Sequence, residues 1–419
     1  MISEIRVSNM FSIKNEIVLN MVAGSSKSKK TMELQSNTFT YRDENILKSV
    51  AIYGANASGK SNIVKAITFC CAMVLNSHNN NEGLLFNFKP FKFEGYANKP
   101  STFFIRFVAE EIEYEYSFSM NTKEIITEEL YYYPNGRRAK VFIRDERKSK
   151  NKQKIYSFTS GIIKRPMDVA ENTSRKTLFI SRASQMDREI AKEIYSFFSN
   201  SFIFNNLIDA RTLETLFVTY RLVLLAALQT ADSDIVDIKM RKEKGKAKQL
   251  FADMTSNIAS IKDVEQESIK FTTYHKRDPS VAFDFDTEES DGTKNMFRIM
   301  LSVLDIVRNG KALLWDEIDR SLHSKIVEYI FDLFNNSKAA QLICTTHNTN
   351  LLNLRKLRKD QIYFVNKKED ASSDLYSLFD YKDFRDTMDV EKAYLQGRFD
   401  AIPYIDDSES NIKSLIDNE

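Results

Sequence analysis

The chain is poor in cysteine and has no excess charge of either sign. Its 419 residues include 3 cysteines, which lie in apolar runs and favour free thiols in a reducing, cytoplasmic compartment. With 60 Lys and Arg against 58 Asp and Glu, the net charge is +2. No overall field therefore directs the protein to nucleic acid, and any such contact must be local.

Long hydrophobic runs are also missing from the sequence. Residues 1–7 lack the apolar core of a signal peptide, and no later run reaches the roughly 18–20 apolar residues that span a bilayer. We therefore expect a cytoplasmic protein without membrane contact. The length allows two or three lobes and a substantial core.

Glycine is scarce, with 11 residues, yet two glycines frame a phosphate-binding loop at 54–61. A strand-like run precedes the loop at 49–53, and a helix-like run follows at 62–67. In this motif backbone N–H groups surround phosphate oxygens, Lys60 reaches the β- and γ-phosphates, and the Ser61 hydroxyl binds Mg²⁺. A ligand-free turn would not require Lys-Ser at its end. The expected nucleotide-binding residues here are Gly54, Ala55, Asn56, Ala57, Ser58, Gly59, Lys60, Ser61 and Asn62.

An apolar run at 312–315 ends in two acids, Asp316 and Glu317. A strand that delivers both at its carboxyl end suits a Mg-nucleotide enzyme, with Asp316 holding the ion and Glu317 orienting the attacking water. The run alone is weak evidence, but joined to the phosphate loop it predicts an ATPase. Its distance from Lys60 requires an insertion between the two halves of the sheet.

The pattern of runs predicts an α/β protein built in three parts. Residues 1–150 carry the phosphate loop and an antiparallel β-rich lobe, and residues 151–265 form a mainly helical insertion. Residues 266–419 alternate helix and strand and return to the ATPase domain. We find no internal repeat.

Two basic runs, at 144–154 and 239–248, have two interpretations. They are solvated faces, or they contact a nucleic-acid backbone, DNA or RNA, from one surface. Neither run contains interleaved aromatic residues, which removes the usual stacking platform for single strands.

Further motifs flank the acidic pair. Ser290, Gly292 and Thr293 open an apolar helix, which makes an anion-binding N-terminus or an ordinary N-cap. The segment resembles the signature motif of the ABC superfamily, which completes the nucleotide site of the opposite subunit. Asp319 lies in a stretch similar to the D-loop of that family. His347 follows a strand-like run and is similar to its switch histidine, which would contact the γ-phosphate and stabilise developing charge.

In this order the motifs resemble the ABC-type ATPases of the SMC, RecF and OLD-like group. More narrowly, the runs at 49–62, 289–294 and 393–403 resemble the bacterial abortive-infection ATPases of the AbiL and RloA type. The resemblance implies a P-loop NTPase fold of ABC-head type, ATP and Mg²⁺ as cofactors, and ATP-dependent homodimers. It also implies control of a separately encoded nuclease or toxin effector in phage defence. A RecF-like DNA-binding ATPase of repair or maintenance, and a scaffold that recruits a toxin, remain alternatives.

Two departures from the family qualify this expectation. The family has a glutamine loop that senses Mg²⁺ and the γ-phosphate, but no Gln occurs between Ser61 and Gln153. Another group takes that role or it is absent, which predicts slow hydrolysis and ATP used as a dimerisation switch. The chain after His347 is too short for the nuclease domain of OLD proteins, so we expect no intrinsic nuclease.

Overall fold

The computed structural model describes most of the chain. The described residues are 1–25, 29–83, 85–148, 151–204, 210–230, 234–253, 258–320, 322–385, 388–403, 408, 414 and 416. Within them, only the backbone is described for 29–30, 210–211, 245–253 and 258–267.

The strands are numbered in chain order. They are β1 Ile2–Ser8, β2 Ile17–Asn20, β3 Thr38–Tyr41, β4 Glu44–Leu47, β5 Ser49–Gly54, β6 Ser101–Ala109, β7 Ile112–Met120, β8 Ile125–Tyr132, β9 Ala139–Asp145, β10 Tyr156–Phe158, β11 Phe202–Phe204, β12 Ile235–Asp253, β13 Ile258–His275, β14 Asp278–Asp284, β15 Ala312–Trp315, β16 Gln341–Thr345, β17 Ile362–Lys367 and β18 Ser373–Ser377.

The α-helices are numbered in the same way. They are α1 Lys29–Glu33, α2 Lys60–Asn76, α3 Lys152–Ile155, α4 Pro166–Glu171, α5 Phe179–Gln185, α6 Glu189–Ser196, α7 Ala210–Thr230, α8 Asp291–Arg308, α9 Ser324–Asn335 and α10 Val390–Leu395.

A six-stranded sheet carries the predicted motifs, in the order β11-β15-β16-β5-β17-β18. The pairs from β11 to β17 are parallel, and β18 is antiparallel to β17. Strands β5, β15 and β16 are buried at every position, because a parallel sheet is covered on both faces. Their continuous apolar runs, which lack alternation, follow from this burial.

The predicted β-rich lobe is a seven-stranded antiparallel sheet in the order β10-β9-β8-β7-β6-β1-β2. Side chains of β6 and β7 alternate between buried and half-buried, so one face joins the core. That core continues into α2 and the six-stranded sheet. The expected α/β fold, with a mainly parallel sheet that carries the phosphate loop and an antiparallel lobe, is confirmed.

The chain divides into two compact units. The first comprises Met1–Asn205, Gly310–Asp319 and Phe331–Glu419, and the second comprises Asn206–Asn309 and Arg320–Ile330. Helices α4, α5 and α6 thus belong to the first unit, because their apolar faces join its core. The domain bounds at 150 and 265 that the sequence predicted therefore differ from the bounds of the two compact units.

The helical insertion predicted for 151–265 is wrong in its last part. Helix α7 agrees with it, but β12 and β13 form a long antiparallel hairpin, and β14 adds a third strand. The scarcity of Gly and Pro, which favoured a helix, is equally compatible with a long strand. At the base of the hairpin, Phe271, Thr273 and Ile238 are buried, which stabilises the strands through packing with their neighbours.

Helix α7 contains the one segment of the described residues, Thr212–Thr230, that is long and apolar enough to cross a membrane by length and composition alone. Its inner face packs inside the second unit: Phe217 contacts the rings of Phe271 and Phe297, and Leu224 is fully buried. The helix also contains Arg221, which pairs with Asp237 on β12. One face of the helix is thus packed within the unit, whereas Val218 and Leu222 on the same helix are exposed.

Candidate nucleotide site

Three of the predicted motifs meet at one edge of the six-stranded sheet. Strands β15, β16 and β5 are parallel neighbours, with Trp315 opposite Cys344 and Thr345 opposite Ile52. The carboxyl ends of parallel neighbours lie at the same edge, where open α/β sheets bind ligands. The phosphate loop, the acidic pair and the histidine follow these three ends.

The phosphate loop wraps around the ammonium group of Lys60. Its Nζ donates to the carbonyl oxygens of Gly54 at 2.7 Å and Ala55 at 3.0 Å. Burial lowers the pKa of Lys60, and the carboxylates of Glu317, Asp316 and Asp319 act in the opposite direction. A buried cation at the start of α2 is an environment that favours a bound anion.

The loop fits a phosphate group in two further respects. The hydroxyl of Ser58 is buried and has no hydrogen-bond partner among the described residues. A Cβ atom on Gly54 would lie 2.6 Å from that hydroxyl and 2.7 Å from the carbonyl oxygen of Val365. Only glycine leaves room for this close approach.

Two serines outside the motif support the loop from behind. The Ser373 hydroxyl, at the start of β18, donates to the carbonyl oxygen of Ser58 at 2.6 Å and lies 2.8 Å from the Ser12 hydroxyl oxygen. Asn62 donates to Ser12 at 2.8 Å. Gly59 has φ of 111°, and a Cβ there would lie 2.0 Å from the Ser373 hydroxyl oxygen, so both conformation and space require glycine. Nothing in the sequence spacing indicated Ser12 or Ser373.

The acidic pair is fixed by Thr345, the last residue of β16. Its hydroxyl donates to Asp316 Oδ1 at 2.6 Å and accepts the backbone N–H of Glu317 at 2.7 Å. The Thr345 carbonyl accepts the N–H of Ile318 at 3.1 Å. Thr345 is fully buried, so its hydroxyl holds the Asp316 side chain and the Glu317 backbone in a fixed position. The sequence showed it only as part of an apolar strand.

Glu317 adopts φ of 52°, in the left-handed region. A non-glycine residue there carries strain of about 1–3 kcal/mol and persists only when its surroundings fix it. The hydrogen bond from its N–H to Thr345 is such a constraint. The strained backbone presents the Glu317 side chain at the sheet edge.

Hydrogen bonds to neighbouring elements hold the backbone of residues 346–348, which follow β16. Thr346 N–H donates to the carbonyl oxygen of Ile52 at 3.1 Å, and the Tyr53 hydroxyl donates to that of Asn348 at 3.0 Å. Between them, the backbone N–H of His347 donates to both carboxylate oxygens of Asp319 at 3.1 Å. The imidazole of His347 is exposed, while its backbone is held.

The pKa of His347 lies below its ordinary value. Partial burial of the ring lowers it, and the cation of Lys60 lowers it further, while Asp319 and Glu317 act in the opposite direction. The imidazole is therefore neutral at pH 7, so it has one N–H donor and one acceptor nitrogen. The influence of Lys60 on the ring reports that the loop and His347 share one electrostatic environment.

Ser290 belongs to the second unit and caps α8. Its hydroxyl accepts the N–H of Thr293 at 3.1 Å and lies 2.8 Å from the Thr293 hydroxyl. Ser290 and Gly292 are exposed, so the N-terminus of this 18-residue helix is open to solvent. Ser290 is therefore an N-cap, as one of the two interpretations of the sequence expected, and anion binding at this segment stays a prediction.

The residues predicted to hold Mg²⁺, Ser61 and Asp316, supply a hydroxyl and a carboxylate, which are ligands suited to that ion. The bond from Thr345 uses only Oδ1 of Asp316. Among the described residues there is no group of three or more His, Cys, Asp or Glu arranged to hold a metal ion. A P-loop magnesium site needs no such group, because the nucleotide phosphates supply other ligands.

In the described part of the two basic runs, several cations have places or partners within the fold. Arg144 is fully buried, and Arg147 pairs with Asp145 at 2.8 Å. In the second run the register sets Lys244 opposite Glu267; its side chains beyond Lys244 lie outside the described residues. The interpretation as balanced or structural charge is therefore favoured.

A protein-family model described as "AAA domain, putative AbiEii toxin, Type IV TA system" matches residues 49–353, more than half of the chain. The chain belongs to this family. The match includes the phosphate loop, the acidic pair, Ser290 and His347, so this chain is an AAA-domain P-loop ATPase. None of the curated protein sequences matches it.

Similar solved structures are the heads of SMC proteins. The SMC head domain from Thermotoga maritima is 14% identical, with 90% of this chain and 98% of that chain covered and a TM-score of 0.39. An SMC head bound to the C-terminal winged-helix domain of ScpA is 18% identical, with coverages of 94% and 99% and a TM-score of 0.38. An SMC head with an extended coiled coil, bound to the C-terminal domain of ScpA derived from Pyrococcus furiosus, is 16% identical, with coverages of 95% and 98% and a TM-score of 0.38.

Proposed function

We propose that this AAA-domain ATPase is a nucleotide-controlled switch in the bacterial cytoplasm that dimerises around ATP and controls a phage-defence effector. The observation that carries the proposal is the division of the motifs. Lys60, Asp316, Glu317 and His347 lie at one sheet edge of the first unit, whereas Ser290 caps the exposed N-terminus of α8 in the second. Ser290 of one copy would complete the site of another.

Each residue would have a distinct role in this site. Lys60 and the loop amides bind the phosphates, and Ser61 with Asp316 would hold Mg²⁺, which supplies charge neutralisation when bound. Glu317 orients and polarises the attacking water. His347, neutral at pH 7, donates a hydrogen bond toward the γ-phosphate.

The helix N-terminus at Ser290 supplies the opposite side of the nucleotide. Its backbone N–H groups and the positive end of the α8 dipole suit an anion. Gly292 lets a phosphate approach the backbone closely, and Thr293 adds a hydroxyl. Asp319 would act in the same site by fixing the backbone of His347.

The effector would be a separately encoded nuclease or toxin. The family description names a toxin of a toxin–antitoxin system, which supports a defence role. The missing Gln in the stretch after Ser61 supports slow turnover, which suits a switch that persists in the ATP state. The burial of Arg144 weakens the RecF-like DNA-binding alternative.

The test is the mass of purified Glu317→Gln protein by light scattering, with and without Mg-ATP. We expect a nucleotide-dependent rise from monomer to dimer, because this variant binds ATP without completing hydrolysis. Lys60→Ala in the same background should stay monomeric, whereas Lys65→Ala, an exposed lysine on the same helix, should dimerise normally. A Glu317→Gln protein that stays monomeric with Mg-ATP contradicts the proposed dimerisation around ATP.

The effector half of the proposal has its own test. Affinity-tagged Glu317→Gln protein, isolated from its native host with and without ATP, should retain a nuclease or toxin in one nucleotide state. Co-purification of replication or recombination proteins together with salt-sensitive DNA binding would support the repair alternative instead.

A further inference from the structure

Glu289, the residue directly before Ser290, is held inside the second unit by one oxygen atom. Its side chain is 8% exposed, and Oε1 accepts hydrogen bonds from the Thr273 hydroxyl and from Nε2 of His275, the latter at 2.8 Å. Thr273 and His275 both lie on β13, the central strand of the three-stranded sheet. Hydrogen bonds therefore connect residue 289, at the start of the segment that resembles the ABC signature motif, to β13.

His275 extends this tie to the start of the hairpin. Its Nδ1 lies 2.8 Å from Oδ1 of Asp234, the residue before β12, and its ring packs edge-on against Phe283 on β14 at 4.7 Å. Ionised carboxylates only accept hydrogen bonds, so a ring that meets two of them donates from both nitrogens and is the imidazolium. Asp234, His275 and Glu289 thus form a continuous charged chain.

Other contacts hold the unit together without this chain. Phe271, Phe285 and Phe297 form an aromatic cluster between the sheet and α8, with centroids 4.8–5.9 Å apart. Arg221 of α7 donates to the carbonyl oxygen of Ile238 on β12 at 2.8 Å. The hydrogen-bond chain through Glu289 lies at the exposed N-terminus of α8, outside this aromatic cluster.

We propose that Asp234, His275, Thr273 and Glu289 are a positioning relay that sets the orientation of Ser290 and of the α8 N-terminus toward the nucleotide of a second copy. The inference rests on the proposed function, because the orientation of Ser290 matters only if it meets a nucleotide. None of the four residues needs to touch ATP. Each acts through the backbone of Ser290.

The neighbouring acid provides a matched control. Glu288 is exposed, and its carboxylate accepts only the N–H of Asp284, at 2.5 Å, among the contacts shown by the described residues. Removal of either acid changes the charge beside Ser290 equally. Only Glu289 carries the hydrogen bonds to β13.

The experiment measures the Mg-ATP concentration that gives half-maximal dimer in the Glu317→Gln background. Glu289→Ala should raise that concentration about tenfold or more, because it removes both hydrogen bonds that the carboxylate accepts from β13. Glu289→Gln keeps an oxygen at the Oε1 position, so it should restore dimerisation to within about twofold of the parent, as should Glu288→Ala.

A spectroscopic readout separates positioning from general stability. The chain has 4 histidines, so the imidazole nitrogens can be resolved by NMR. The His275 signals should show protonation at both nitrogens in the parent, and they should shift when Mg-ATP drives dimerisation. Glu289→Ala should move them without nucleotide, while thermal unfolding reports whether the fold is retained. If that variant does not fold, Thr273→Val, which keeps the volume and removes the hydroxyl donor, replaces it.

The outcomes distinguish the two proposals. A parent that fails to dimerise with Mg-ATP overturns the proposed function and the relay with it. A parent that dimerises, together with a folded Glu289→Ala variant that needs the same ATP concentration, overturns the relay alone. A His275 ring that is neutral in the parent contradicts the relay whatever the dimer does.

Discussion

The carboxylate of Asp319 accepts the backbone N–H of His347, with both of its oxygens 3.1 Å from the nitrogen. The two residues follow adjacent parallel strands, β15 and β16. The hydrogen bond therefore joins the loop after the acidic pair to the segment that follows β16. It gives Asp319 a role within its own subunit, in addition to the nucleotide contact predicted from the family resemblance.

Asp319→Ala should lower the ATPase kcat about tenfold and change KM little, because a charged hydrogen bond that positions His347 is lost while the phosphate loop is intact. Asp319→Asn retains an acceptor oxygen and should recover most of the rate. Steady-state kinetics of both variants provide the check. A Kd for ATP that changes as much as kcat would show that Asp319 acts mainly in binding.

Thr345→Val should reduce kcat by about tenfold or more, because the buried hydroxyl that holds both Asp316 and Glu317 is replaced by a methyl group. The unfolding free energy should also fall by about 1–3 kcal/mol, since the Glu317 N–H loses its partner. Thr345→Ser keeps the hydroxyl and is the matched control. Equal rates for the valine and serine variants would exclude this positioning role.

Arg144→Met should destabilise the first unit by about 3–5 kcal/mol, because it removes the cation that lies 3.5 Å from the buried carboxylate of Glu128 and 2.8 Å from that of Glu146. Arg144 also donates to the carbonyl oxygens of Thr177 at 2.7 Å and Ser174 at 3.0 Å. Urea unfolding of the variant measures the loss. Arg147→Met, an exposed change three residues later, should alter stability by less than about 0.5 kcal/mol.

The pKa of Glu128 provides a way to separate charge from packing in this cluster. Burial raises its pKa, although Arg144 and the backbone N–H groups of Ile180 and Phe179 act in the opposite direction. The double variant Arg144→Met, Glu128→Gln should therefore be more stable than Arg144→Met alone. A double variant that is less stable would show that packing, and not the unpaired charge, dominates.

The contribution of His275 to stability should depend on pH. Burial lowers its pKa, but the hydrogen bonds to Asp234 and Glu289 outweigh burial, so the pKa lies above the ordinary value of 6.5. A raised native pKa stabilises the fold fully below the unfolded pKa, and this contribution is lost as the pH rises through the native pKa. The difference in unfolding free energy between wild type and His275→Gln should thus be larger near about pH 6 than near about pH 9. A difference that grows with pH would contradict the assignment of His275 as a cation.

The sequence predicted those parts of the fold whose signal is local. Strand β5, the loop and α2 follow from an apolar run, two glycines and a helical period within 49–76, and the β-rich lobe follows from alternating aromatic and β-branched residues. The hairpin of β12 and β13 was missed, because a polar run with one glycine and no proline is compatible with either helix or strand. Pairing with a partner strand and packing against helices determined that this run forms a strand.

Motif order and chemistry were thus fixed by the sequence alone: a P-loop, an acidic strand end, a capped helix and a histidine predicted an ATP site because each needs only neighbouring residues. Tertiary structure decided which distant groups hold these motifs in place. Ser373 reaches the loop at Ser58, Thr345 reaches Asp316, and His275 reaches Glu289 only after strands far apart in sequence become neighbours. Single hydroxyls and carboxylates carry no pattern in a sequence, so only the fold could show which of them are used.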